Sequence, residues 1–221
     1  MATAKLKMRT PLGELNWVKV TGEGKLKMGK SGADASDYVY TASIVLTDEY
    51  AESLEKQLNA YWLKVKPSNI GRQSYSLIKE EKAPVLDAQG NKQTNEYGET
   101  ITAPTGRKLL TAKTNTVWPD GKTNSISIKD FARNTIDLEQ TGEIGNGSTG
   151  VLIGAIGAQF NPSNPGLMFF LQGIQLKTLV PYVGSEPEME DTGEALVIEG
   201  ATKPSSSDVA GALEVDDELL F

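Results

Sequence analysis

Along much of the chain, apolar residues recur with period two. Gly13 to Val20 (GELNWVKV) reads as a strand, with Leu15, Trp17 and Lys19 on one face. Tyr38 to Leu46 (YVYTASIVL) reads as a second, whose alternation gathers Tyr40, Ala42, Ile44 and Leu46 onto a core face. The period then changes. Thr47 is a suitable N-cap, and Asp48 and Glu49 fall in a first turn where the helix dipole favours acids. Leu54, Leu58, Tyr61, Trp62 and Val65 form one stripe at helical spacing before Pro67, and that stripe assigns Trp62 to the core.

Residues 21–37 are rich in glycine and lysine and read as a long loop; residues 84–106 are polar and read as a long connection. Lys108 to Thr114 (KLLTAKT) reads as a third strand. After the turn residues Trp118-Pro119-Asp120-Gly121, Ser125 to Ile128 reads as a short strand pairing back on it. Val151 to Phe160 and Leu167 to Leu179 read as two strong strands joined through Asn161 to Gly166. About five principal strands with one main helix after the second predict a mostly β protein, with an OB-fold (a five-stranded Greek-key barrel with long loops) as the architecture that matches.

From Gly184 onward proline, serine and acids dominate, so the expected domains are a body, 1–184, and a flexible acidic tail, 185–221. Ala195 to Ile198 could form a strand, with no visible partner.

Charge sharpens that division. The formal net charge of −7 averages a tail of −10 with a body of +3. Within the first 30 residues, Lys5, Lys7, Arg9, Lys19, Lys25, Lys27 and Lys30 face only Glu14 and Glu23. A basic body with an acidic tail fits a polyanion binder whose tail competes for the same groove; it also fits a solvated surface with a solubilising tail. The chain has no cysteine and no histidine, which removes disulfides, thiol nucleophiles, the usual zinc sites and imidazole bases. We therefore expect no enzyme, no cofactor and no metal. No stretch is long and apolar enough for a membrane span, and the basic N-terminus lacks the apolar core of a secretory signal, so a cytoplasmic protein is expected.

Gly24-Lys25-Leu26-Lys27-Met28-Gly29-Lys30-Ser31 satisfies the phosphate-loop pattern G-x-x-x-x-G-K-[ST]. That mechanism needs a helix beginning at Lys30, so that its free amides meet the phosphates. Turn residues and then Tyr38-Val39-Tyr40-Thr41 follow instead. Nucleotide hydrolysis is therefore declined, in favour of a loop that contacts nucleic-acid backbone; a plain flexible basic loop is the alternative.

Sequence-independent binders of single strands combine cations that track phosphates with aromatic faces on which bases stack. The candidates are Lys5, Lys7, Arg9, Trp17, Lys19, Lys25, Lys27, Lys30, Tyr38, Arg107, Thr111, Lys113, Trp118 and Phe160. Trp17 and Phe160 also admit a reading as core. At the far end, Asp216-Asp217-Glu218-Leu219-Leu220-Phe221 closes an acidic stretch on apolar residues; a partner pocket for Phe221 would explain this, and a terminal helix packed on the body is the alternative.

This ending resembles that of bacterial single-stranded DNA-binding proteins. The phage replication proteins of the same class share the tail and also resemble the body, in VYTASIVLTD entering a helix, GRKLLTAKT as a central strand, and GNGSTGVLIGAIGAQF followed by GLMFFLQGIQLKTLV as a closing hairpin. The resemblance implies an OB-fold, sequence-independent binding of single-stranded DNA in replication and recombination, and tail contacts to DNA polymerase and helicase–primase. It is compatible with a homodimer, in the host cytoplasm if the protein is phage-encoded. It places Thr111, Lys113 and the aromatic of the last hairpin at DNA contacts. One departure stands out: Val151 to Phe160 is glycine-rich and carries no basic residue, which puts the contribution of that hairpin in doubt. A phage structural or assembly β-barrel without nucleic-acid function is the rival reading.

Overall fold

The computed structural model describes residues 5–70, 76–160 and 165–182. The acidic tail, with Asp216 to Phe221 and the Ala195 to Ile198 run, lies outside the described residues, as does part of the loop joining the last two strands.

The elements in chain order are β1 (Leu6–Arg9), β2 (Gly13–Lys19), β3 (Lys25–Leu26), β4 (Tyr38–Leu46), α1 (Asp48–Val65), β5 (Ile78–Pro84), β6 (Thr102–Asn115), β7 (Ser127–Asp130), α2 (Leu138–Thr141), β8 (Ser148–Gln159) and β9 (Gly166–Thr178). The five principal strands expected from the pattern are β2, β4, β6, β8 and β9. Their pairings run β8–β2–β4–β6–β9 and return through a β8–β9 hairpin. This is OB-type connectivity, with the third and fifth strands of the ring (β6 and β9) parallel. That seam is the thin one: it holds a single register pair, Lys113 with Phe170, so the barrel is partly open there.

The core follows the alternation. On β4, Tyr40, Ala42, Ile44 and Leu46 are buried, and Leu15, Leu110, Leu152, Ile156, Phe169 and Ile174 meet them from the other strands. Thr47 caps α1, its side chain accepting the Tyr50 N–H. Ala51, Leu54, Leu58 and Trp62 of α1 are buried in the same core, and the Trp62 ring lies 6.2 Å from that of Phe160. β8 needs its glycines because it crosses β9 closely between two register shifts. A Cβ on Gly154 would stand 2.0 Å from the Phe170 carbonyl oxygen, a contact no side chain can make.

Two expectations are corrected, and one strand stands where none was assigned. Residues 84–106 are not a plain connection: β5 pairs with β6 as far as Pro84 with Thr102, and isolated bridges continue the arm (Leu86 with Lys92, Thr94 with Thr100). The strand expected at 125–128 forms at Ser127–Asp130 and pairs in parallel with β9, not back on β6. The basic N-terminal residues form β1, antiparallel to β8. β1 and β5 escape notice because segments such as IKEE alternate weakly, and only tertiary pairing makes them strands. No helix among the described residues is long and apolar enough to cross a membrane.

Candidate nucleic-acid interface

The face of β2, β4 and β6 that points away from the core is polar by the same period of two that makes the inner face apolar. The register puts Ser43 opposite both Asn16 and Thr111, and Thr41 opposite both Lys19 and Lys113. Ser43 Oγ and Thr111 Oγ1 share a hydrogen bond of 2.9 Å. A groove across this face is lined by Trp17, Thr41, Ser43, Thr111, Lys113, Lys25, Lys27 and Lys79, and closed on one side by Leu26 and Met28.

Trp17 reaches the groove through a backbone device. Strict alternation would turn it inward beside Leu15. Instead β2 inserts one extra residue between Asn16 and Lys19, and Trp17 takes φ of 50°, in the left-handed region that bulky residues rarely visit. Its freed N–H donates to Asn146 Oδ1 at 2.8 Å. The result is a tryptophan 46% exposed at the groove wall, while Leu15 stays fully buried. Leu15, Trp17 and Lys19 therefore do not share a face as the sequence implied.

Lys113 is the cation at the groove's centre. Its partial burial holds the ammonium below the ordinary lysine value, and the charges of Lys79 and Lys25 push it further down. These like charges make this part of the face cationic. Met28, wholly exposed at the tip of the β3 loop, adds an apolar lip.

The other predicted residues separate from this groove or enter it with their charge engaged. Lys19 Nζ bonds Glu143 Oε1 at 2.6 Å; this bond, with a second from Thr21 Oγ1, holds the Glu143 carboxyl below its usual range. Arg107 bridges two acids. Its Nη2 meets Glu14 Oε1 at 2.9 Å, and Nε lies 2.7 Å from Glu81 Oε2 as a charge contact whose angle falls short of a hydrogen bond. Glu81 also accepts from Asn16 and Thr105, so Arg107 anchors β2 to the β5–β6 arm. Lys27 Nζ donates to the Ser36 carbonyl, and Lys30 pairs with the buried Asp37 at 3.4 Å.

The phosphate-loop imitation has no helix behind it. Lys25–Leu26 is a strand paired with Tyr38 and Val39, and the next helical turn is a 3-10 turn at Ala35–Asp37. Tyr38 takes the core side of β4, its hydroxyl donating to the Gly32 carbonyl at 3.4 Å. Phe160 packs on α1 against Trp62. Trp118 is 53% exposed at the turn after β6, outside the groove lining. Lys5, Lys7 and Arg9 lie on or just before β1, beside β8.

Three polar groove residues, and one residue that positions Trp17 from outside the groove, are not among the candidates. Thr41 and Ser43 were legible as the complement of the Tyr40, Ala42, Ile44 set. Lys79 was not, because β5 was not recognised. Asn146 acts only through the Trp17 backbone, which no pattern announces. Among the described residues, no cluster of three or more acids could hold a metal ion.

No protein-family model matches the chain, and no curated protein matches it by sequence. Solved structures do. The single-stranded DNA-binding protein from bacteriophage Enc34 in complex with ssDNA aligns at a TM-score of 0.50 and 12% identity, over 80% of this chain and 89% of that one. Its C-terminal truncation gives 0.51 and 10%, over 82% and 99%. Gp2.5, a single-stranded DNA-binding protein encoded by bacteriophage T7, gives 0.49 and 14%, over 88% and 100%. With its ring of five strands aligned at this level to the Enc34 protein, the chain has the fold of a phage single-stranded DNA-binding protein.

Proposed function

We propose that this protein binds single-stranded DNA without sequence preference, across β2, β4 and β6, and protects it during phage DNA replication and recombination. One observation carries the reading: an exposed Trp17 and a mutually repelling set of lysines, Lys25, Lys79 and Lys113, line one groove on the face that OB-folds use for oligonucleotides. Hydroxyls of Thr41, Ser43 and Thr111 floor it, and none of these groups reads a base edge in a fixed pattern. Trp17 offers a π-face that every base can use. The lysines offer charge that every phosphate can use. Such a site is indifferent to sequence and selects unpaired strands, whose bases are free to stack. The likeness to a phage protein solved with ssDNA supports the same reading.

No chemistry is required of the chain; it acts by occupancy. Its acidic tail, 185–221, would compete with DNA for the cationic groove, and Asp216, Asp217, Glu218, Leu219, Leu220 and Phe221 would dock on DNA polymerase and helicase–primase. Oligo(dT) titration over a salt series tests the groove: affinity should fall steeply with salt and duplex should bind far more weakly. A flat salt response, or equal affinity for duplex, would refute it. Deleting residues 208–221 should raise DNA affinity and abolish capture of those partners; a truncation that weakens DNA binding would refute the competition.

A further inference from the structure

Beyond the groove lies a second aromatic surface that the candidates above do not include. Phe170 is the β9 residue paired with Lys113 across the seam of the barrel. Its neighbour Phe169 is buried in the core, so Phe170, partly exposed, points outward on the side that carries Lys113. Its ring lies down over the backbone of β8: a Cβ on Gly157 would stand 2.8 Å from Phe170 Cε2. The glycine therefore seats a flat aromatic face, and any larger residue would lift it.

β1 supplies the charge that β8 lacks. Lys5 Nζ stands 4.6 Å from the centre of the Phe170 ring, and Arg9 Nη2 donates to Gln175 Oε1 on the same hairpin at 2.9 Å. An ammonium over an exposed ring is held by only about 0.5–1 kcal/mol, a grip that a phosphate readily replaces. Thr111 and Lys113 of the groove also border a depression on the β9 side of the seam, shared with Gln159 and with Met168, which stands two residues before Phe170 on the same strand.

We infer that the DNA track does not end at Lys113 but crosses the β6–β9 seam onto β9, where Phe170 is a second base-stacking platform and Lys5 turns from its ring to a phosphate. The inference rests on the single-stranded DNA reading of the groove. From Trp17 on β2 to Phe170 on β9 is three strand spacings, roughly 15 Å. A dinucleotide engaged at Trp17, whose one step covers about 3.4 Å stacked and about twice that extended, falls short of Phe170, whereas a longer strand reaches both. The glycine content of β8 and the basic β1 then belong to one device, a flat ring on a bare strand flanked by cations.

The test titrates full-length Trp118→Phe protein with oligo(dT) of about 2 and about 16 nucleotides, and follows tryptophan quenching, which then reports Trp17 because Trp62 is buried, so that only strands engaged at the groove are counted. Phe170→Leu should lose about 5- to 150-fold in affinity for the long strand, the loss of one stacked base, and be unchanged for the short one. Phe170→Tyr, which keeps the ring, should stay within about threefold of wild type on both. Lys5→Gln should lower the salt slope by about 0.7, one phosphate contact, for the long strand alone. Equal losses on both lengths, no loss on either, or failure of tyrosine to rescue would overturn the platform while leaving the groove standing. Wild-type protein that binds neither length would remove the groove reading and this one together.

Discussion

Lys113 is where binding and stability pull in opposite directions, and Lys113→Met separates them. In the free protein the ammonium is partly buried and repelled by Lys79 and Lys25. Its folded value is depressed below the 10.5 of an unperturbed lysine, so the unfolded chain binds its proton more tightly. Below that window the charge opposes folding, and the opposition lifts as pH rises through it. A neutral methionine of similar length removes the repulsion and keeps the stem packed. The variant should therefore melt at or above the wild-type temperature at neutral pH, and any gain should vanish once both lysine states are neutral. DNA binding should move the other way. Each phosphate contact to a single strand contributes about 0.7 to the salt slope, so Lys25, Lys79 and Lys113 together account for about −2 and the variant should lose a third of that share. One contact of this kind is worth about fivefold in affinity at 0.1 M salt, shrinking toward nothing near 1 M. Anisotropy with labelled oligo(dT) at five salt concentrations, beside thermal melts of the same samples, gives both quantities. A variant that melts lower and binds with an unchanged slope would show Lys113 to be a structural residue, and the electrostatic account of the groove would fall with it.

The other expectations follow from the same contacts. Trp17→Leu should weaken oligo(dT) binding by about 1–3 kcal/mol and abolish most of the DNA-induced fluorescence change, because Trp62 is buried and Trp118 stands outside the groove; undiminished quenching would reassign the signal to Trp118. Arg107→Ala strands the nearly buried Glu81 carboxylate and should lower stability by about 1–3 kcal/mol in urea melts, with the DNA salt slope nearly intact; a slope that drops by a full contact would make Arg107 a phosphate ligand after all. The bonds from Lys19 and Thr21 hold Glu143 below the ordinary glutamate range, so its stabilisation is present above that range and lost as pH falls through the depressed value. Glu143→Gln should accordingly cost about 0.5–1 kcal/mol at pH 7 and nothing near pH 2; a difference that persists in acid would mean the contact is not one of charge.

Alternation alone made the two faces of β4 readable. Tyr40, Ala42, Ile44 and Leu46 had to be core in any sheet that buried one side, and the five principal strands and the capped helix follow from the same local periodicities. Composition likewise separated a basic body from an acidic tail. These are properties of neighbouring residues, and neighbouring residues determine them.

What the sequence could not hold is whatever depends on two distant segments meeting. The bulge that turns Trp17 outward needs Asn146, 129 residues away, to satisfy its N–H, and strict period two pointed that tryptophan the wrong way. Lys19, Lys30 and Arg107 look like free cations until Glu143, Asp37, Glu14 and Glu81 arrive beside them. Lys79 joins Lys113 only because β5 pairs with β6, and Phe170 stands beside Lys113 only because β9 pairs with β6 at that one position. Charge pairing and strand register are set by long-range contacts whose energies exceed the local preferences they override, so the number of basic residues was legible in the chain, while the few that face an open groove were chosen by the fold.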